Sequence, residues 1–443
     1  MRIQLSDHFT YKRLLRFTLS PVIMMVFTSI YGVVDGLFVT NFVGSNSLAS
    51  INIVMPVVIV VQGFGFMLGT GGSAEVAKTL GMGQKHKARE YFTMMIITIV
   101  ATGLILSVIC YIFMPQICKL LGASDLLMDD CITYGRIQMI GITAFMLQTT
   151  FHSFFITAEK PTIGLILTII SGCTNMFLDY LFICVLDMGI AGAALGTICS
   201  YFVAGLAPLV YFLLPNNSLL RFTKPKFYPH VLIHSCTNGS SEMVSNISMS
   251  VVTFLYNLQL MKLVGEDGVA AITVIMYVNF IFVSMFIGFA IGTAPVIGFN
   301  YGAQNHTEMK SLFRKAVTII SITSVAMTLF AQIFASPLAT IFVGHKETLL
   351  NMTVNAFRIY SISFLLCGFS IFGSSFFTAL CNGKVSAAIS FLKSFVFQSG
   401  MILLLPYVLG LNGVWFAVVA AEILSFIVTL TFIITQRKKY HYI

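Results

Sequence analysis

"NFVGSNSLASINIVMPV", residues 41–57, has a second version in "KLVGEDGVAAITVIMYV", residues 262–278, and the pair decides the fold. Gly44 falls on Gly265, an offset of 221 in a chain of 443 residues, so the sequence reads as two halves. Two further matches follow in the same order. "GMGQKHKAREYF" from Gly81 parallels "YGAQNHTEMKSLF" from Tyr301, setting Gln84 on Gln304 and His86 on His306. "MPQICKLLGAS" from Met114 parallels "SPLATIFVGHK" from Ser336, setting Pro115 on Pro337 and Gly122 on Gly344, and "SFF" recurs at 153–155 and 375–377. Chance likeness between apolar segments does not preserve order and spacing; a duplicated unit does.

Each half must live in lipid. Hydrophobic residues make up 57% of the chain and charged ones 9%, with mean hydropathy +0.93, outside the range of soluble domains. The apolar runs are long enough for helices of roughly 20 residues and do not alternate as barrel strands would. Twelve spans are expected, at 20–42, 49–75, 92–114, 134–157, 162–185, 189–214, 236–262, 269–298, 315–340, 355–380, 386–408 and 412–435. This is an all-α integral membrane protein of two pseudo-symmetric six-helix lobes around a central cavity, residues 1–218 and 219–443. "PNNSLLRFTKPKFYPH", residues 215–230, reads as the cytoplasmic linker. Six spans per half make the repeats parallel, a transporter architecture. With both termini cytoplasmic, 19 of the 25 Lys and Arg residues fall in cytoplasmic segments, which sets the orientation in the plasma (inner) membrane.

That topology accounts for most of the net charge of +9 and leaves no case for a nucleic-acid partner. The first span is longer than a signal-peptide core and is expected to be retained. Nine cysteines lack metal-ligand spacing and read as packing residues. "GFGFMLGTGG", residues 63–72, lies inside a span and lacks the GK[ST] ending of a nucleotide loop, so Gly65 and Gly69 read as points of close helix packing. No enzyme motif and no cofactor is implied, and the expected energy source is an ion gradient.

Polar residues at matched depth mark the candidate site. Asp35 lies about 10 residues before the hairpin at Ser45, hence about 15 Å below the outer surface, near the middle of a ~30 Å core. Asp179 lies about as far before the hairpin near Met188, and Thr197 about as far after it. Tyr31 precedes Asp35 by one helical turn, and Asn175 precedes Asp179 by one turn. A carboxylate in mid-bilayer is costly and needs a partner or a cation, and this oxygen set suits Na⁺ or H⁺ without choosing between them. Gln148 and His152 share a face of the fourth span and are candidates for the substrate cavity. Glu242 is expected at the cytoplasmic mouth of the seventh span, in a solvated, gating or structural role and not in deep ion binding. Lys393 and Glu422 are expected to pair structurally within the second lobe or to snorkel.

Taken together, "PVIMMVFTSIYGVVDGLFVTNFVG" from Pro21, "NMFLDYLFI" from Asn175, "GIAGAALGT" from Gly189, "PVIGFNYGA" from Pro295 and the loop after the second helix of each lobe resemble the multidrug and toxic compound extrusion (MATE) transporters, nearer the bacterial DinF and MepA type branch. The resemblance spans nearly the whole chain. It implies an amino-terminal-lobe cation site, carried over here to Tyr31, Asp35, Asn175, Asp179 and Thr197. The second lobe departs from symmetry, with Tyr256 and Gly400 where Asp35 and Asp179 would recur. The expectation is a monomeric antiporter exporting amphipathic organic cations against inward Na⁺ or H⁺. The rivals are a flippase for lipid-linked saccharides and a non-transporting membrane receptor.

Overall fold

The computed structural model describes residues 3–343 and 346–442, and within them the regular structure is all helical. Helix 1 is Tyr11–Phe38, helix 2 Ser45–Gly81, helix 3 Lys85–Ile112, helix 4 Met128–Thr157, helix 5 Pro161–Asp179 continued by a π-helical turn Tyr180–Val185, and helix 6 Gly189–Leu213. The second set is helix 7 Pro229–Leu263, helix 8 Glu266–Gly302, helix 9 His306–Ile333, helix 10 Glu347–Ser361 with Phe364–Ala379, helix 11 Gly383–Leu409 and helix 12 Leu411–Tyr440. Ten of these are long and apolar enough to cross a membrane, and helix 10, bent by 49° at its break, makes eleven. Helix 7 completes the twelve: its 35 residues extend about 52 Å, but its first half is rich in Ser, Asn and His and packs against helix 2 instead of lipid.

The duplication is exact in length where it matters most. Helices 2 and 3 return as helices 8 and 9 with 37 and 28 residues each. Gly44 and Gly265 sit just before helices 2 and 8 with φ of 107° and 83°, backbone that a side chain would strain. The following loop corrects the letter-by-letter alignment by one residue. Gly83 and Gln304 share left-handed backbone, φ 78° and 55°, and Gln84 and Asn305 both cap the next helix. Gln84 therefore stands opposite Asn305 and not Gln304; a Gly matched by a Gln is invisible to letter matching. Gly344, expected opposite Gly122, lies outside the described residues.

Glycines set how closely the two halves meet. A Cβ on Gly71 would lie 2.0 Å from the Ser235 carbonyl oxygen, and one on Gly239 would lie 1.8 Å from that of Met67. Helix 8 approaches helix 1 in the same way, with Gly288 against Val22 and Gly292 against Thr18. Gly81 and Gly302, repeat partners of each other, press on Phe299 and Lys78. These approaches lie on the linker side of helices 1, 2, 7 and 8, so the lobes are closed against each other there. The predicted packing glycines behave as expected within the first half: Gly65 abuts Met146 and Thr149, and Gly69 abuts Thr150 of helix 4.

Candidate functional site

Helices 1 and 5 bring the two sequence-distant aspartates together. The Asp35 carboxyl faces that of Asp179 and the amide of Asn175. Asp179 is fully buried, and neither of its oxygens, nor Asp35 Oδ1, nor Asn175 Oδ1, has a donor among the described residues. Two carboxyls cannot satisfy each other as ionised groups; a shared proton or a cation must lie between them. Both aspartates stand at a change of helix type. Helix 1 passes into a π turn at Val39–Val43, one turn beyond Asp35, and helix 5 passes into one directly after Asp179. Such turns loosen the regular hydrogen-bond ladder and free backbone groups near functional side chains.

Small residues let neighbours crowd this site. A Cβ on Gly196 of helix 6 would lie 2.3 Å from Asp179 Oδ1, so any side chain there displaces the carboxyl, and one on Gly172 would lie 2.5 Å from the Phe27 ring and 2.8 Å from that of Tyr31. The Tyr31 hydroxyl meets the Gln148 amide, and Tyr31 is within electrostatic reach of Asp35. Tyr134, Tyr201 and Tyr277 lie in the same field, from helices 4, 6 and 8. Sequence reasoning missed these three: the helices of Tyr201 and Tyr277 carry no carboxylate at turn spacing, and the Asp130 one turn before Tyr134 lies at the outer end of helix 4, away from the depth of Asp35.

Not every expected residue joins the cluster by direct contact. The Thr197 hydroxyl donates to the Ala193 carbonyl of its own helix at 2.9 Å, and its neighbour Gly196 is what touches Asp179. His152 Nε2 is bonded to Thr168 Oγ1 at 3.2 Å, an interior link between helices 4 and 5. Gln148 is buried against Tyr31, which places it with the carboxylates and not on an open cavity wall.

The second half holds a separate cavity of about 220 Å³, and Glu242, Lys393 and Glu422 all line it, with Asn279, Ser374 and Gln398. Lys393 Nζ lies 2.9 Å from Glu422 Oε1, so of the two expected arrangements the pair is the one formed. Glu422 Oε2 is buried without a donor. Glu242 has no hydrogen bond or ion pair to its carboxylate among the described residues and faces the cavity. It was expected near the cytoplasmic mouth of helix 7, and the roughly 32 Å of helix between it and Leu263 agrees with that depth. The helix starts earlier than the apolar run suggested, at Pro229, which sets Glu242 about 20 Å along it. Gly400, opposite Asp179 in the repeat, has open space around its Cα. The carboxylate pair is therefore not duplicated.

Replacing Lys393 with Ala leaves Glu422 as an uncompensated buried charge, for which a loss of about 3–5 kcal/mol is expected. Thermal unfolding in detergent should show a clear drop in Tm for Lys393→Ala. The paired change Lys393→Met with Glu422→Gln, which removes both charges, should recover most of it.

The MatE family model matches residues 21–181 and again 243–402, once on each six-helix set. "Multidrug export protein MepA" of Staphylococcus haemolyticus (strain JCSC1435) is 23% identical over 421 residues, covering 94% of this chain and 92% of that protein. The protein of the same name from Staphylococcus aureus (strain MSSA476) is 23% identical over 430 residues, covering 93% and 91%. Among solved structures, "Crystal structure of MATE in complex with MaL6" superposes with a TM-score of 0.91 at 22% identity, covering 97% of this chain and 98% of the other. "Outward-facing conformation of a multidrug resistance MATE family transporter of the MOP superfamily" gives 0.88 at 22%, covering 98% and 97%. With the family model matched twice, over well more than half of its length, the chain belongs to the MatE family, the MATE transporters, which are not enzymes.

Proposed function

We propose that the protein exports amphipathic organic cations, as a monomer, in exchange for an inward monovalent cation, Na⁺ or H⁺, bound between Asp35 and Asp179. The observation that carries this reading is the facing carboxyl pair, three of whose four oxygens lack protein donors among the described residues. The side-chain oxygens of Asn175 and Tyr31 complete a donor set suited to a hard ion. When bound there, the ion neutralises the pair; this chain supplies the oxygens, the crowding at Gly196 and the cover of surrounding tyrosines. The name of the Staphylococcus relatives, multidrug export protein, supports the cargo class. Glu242, a carboxylate facing a cavity of its own, supports a cationic cargo.

Exchange also fits the energetics. Moving one positive charge outward against an inside-negative potential costs about 2.3 kcal/mol per 100 mV, and one inward cation cancels that cost. The basic linker and loops support a cytoplasmic position for the closed, linker-side face, and on that reading the present state faces outward. Lipid-linked saccharide flipping is less well supported, because the one lysine lining the second cavity is already held by Glu422.

Ethidium efflux from cells expressing the protein tests this, with Na⁺ and proton gradients imposed separately. One gradient should accelerate wild-type efflux, and Asp35→Asn at equal membrane abundance should not respond to it. Efflux that ignores both gradients, or an Asp35→Asn variant that matches wild type, would remove the ion-exchange reading.

A further inference from the structure

The segment before helix 1 does not trail into solvent. Leu5 and Phe9 are fully buried, and both belong to the apolar core of the second half together with Leu14 and Phe17. Two glutamates from opposite halves hold its backbone. The Leu5 N–H donates to Glu159 Oε1 at 2.8 Å, from the loop between helices 4 and 5, and the Phe9 N–H donates to Glu308 Oε1 at 2.9 Å, from the first turn of helix 9. His8 Nδ1 lies 2.6 Å from the other Glu308 oxygen, and Lys315 of helix 9 donates to the Phe9 carbonyl. Glu308 is itself nearly buried, so these are its bonds and not incidental surface contacts.

The linker before helix 7 mirrors this attachment. Glu90, in the second turn of helix 3, accepts from the Tyr228 hydroxyl at 2.7 Å and pairs with Lys226 at 2.6 Å. The Thr223 N–H donates to Thr93 Oγ1 at 3.1 Å. Helices 3 and 9 are repeat partners, so each half uses the start of its third helix to hold the segment that leads into the first helix of the other half. The linker grips the half it emerges from. The amino-terminal segment differs, because Glu159 and Glu308 stand on different lobes and its backbone spans the seam between them.

We propose that residues 3–10 form a latch that holds the cytoplasmic seam shut and must leave Glu308 before the lobes can part on that side. The inference rests on the alternating-access part of the functional reading. Separation of the lobes carries Glu308 and Lys315 away from Glu159, and the four-residue step from Leu5 to Phe9, which turns at residues 5–7, reaches at most about 14 Å when straightened, so a wider opening breaks one attachment. Release exposes Leu5 and Phe9, so the latch favours the state closed to the cytoplasm.

A His8→Cys, Glu308→Cys pair in a background with the native cysteines replaced tests the latch. When oxidised to a disulfide, it should bring ethidium efflux to background, and reduction of the same sample should restore it. Equal efflux in the two redox states overturns the latch. Independently, Glu308→Gln should speed maleimide labelling of a Ser235→Cys reporter, buried at the Gly71 contact, in inside-out vesicles. Unchanged labelling also overturns it. The labelling needs no transport, so if wild type moves no dye, only the export reading falls and the labelling still decides the latch.

Discussion

Asp179→Asn protein is expected to reach the membrane, fold and lose gradient-driven efflux, while unfolding at a temperature no lower than wild type. The two results together are diagnostic. An amide at 179 donates to Asp35 directly and so satisfies the oxygens that now require a proton or cation. The site is then held in an imitation of its ion-bound form. It has no reason to take up the ion, and the cycle stops there. If lost ion binding amounts to about 1.4 kcal/mol or more, efflux at limiting ion falls at least about tenfold. Dye efflux at matched abundance and Tm of the purified protein check the two halves of the claim. A sharp fall in Tm would show that the aspartate is structural.

The second large effect is expected at Gly239→Leu. Even a methyl there would overlap the Met67 carbonyl, and Gly71 across the seam has its own Cβ position blocked by Ser235. Neither obstacle is a flexible side-chain tip; both are backbone, so helices 2 and 7 must separate. Each half keeps its own core, and the variant should insert at normal abundance while failing to close on the linker side. Efflux should fall to background, and the Ser235→Cys reporter should label as fast as in a permanently open seam. Gly400→Ala is the matched control: it lies in a helix with nothing near the new methyl, and should transport as wild type does.

Much of this was legible in the sequence because lipid leaves few choices. Apolar length gave the spans, and duplicated segments gave the two lobes and the parallel repeat. Asp35 and Asp179 could be matched by depth, since each lies a similar count from its hairpin and 1.5 Å per residue converts count into height. Lateral placement could not be read that way. Rotation about a helix axis depends on packing against neighbours, so the tyrosines of helices 4, 6 and 8 went unseen, and Thr197, right in height, turned out to bond within its own helix. His152 and Gln148 share a face, but that face looks into the bundle. Glu242 shows the same limit: its height, counted from the outer end of helix 7, agrees with the helix that forms, but the cavity its carboxylate faces depends on helix rotation and could not be counted.

The correspondence between the halves has a consequence for how such a chain can change. Two copies of a six-helix unit, joined as separate subunits, would form a twofold dimer in which every substitution is made twice and every novelty appears at two symmetry-related places. Fusion into one chain lifts that restriction. Two repeat-related pairs record the result: Asp35 with Tyr256 and Tyr201 with Glu422. Symmetry is retained in the scaffold, in the lengths of helices 2 and 3 against helices 8 and 9 and in the seam pair Gly81 and Gly302, and abandoned at the charged interior. The scaffold has remained a dimer in shape, while its two halves have become free to specialise, one around a buried pair of aspartates and the other around a cavity with a lysine–glutamate pair.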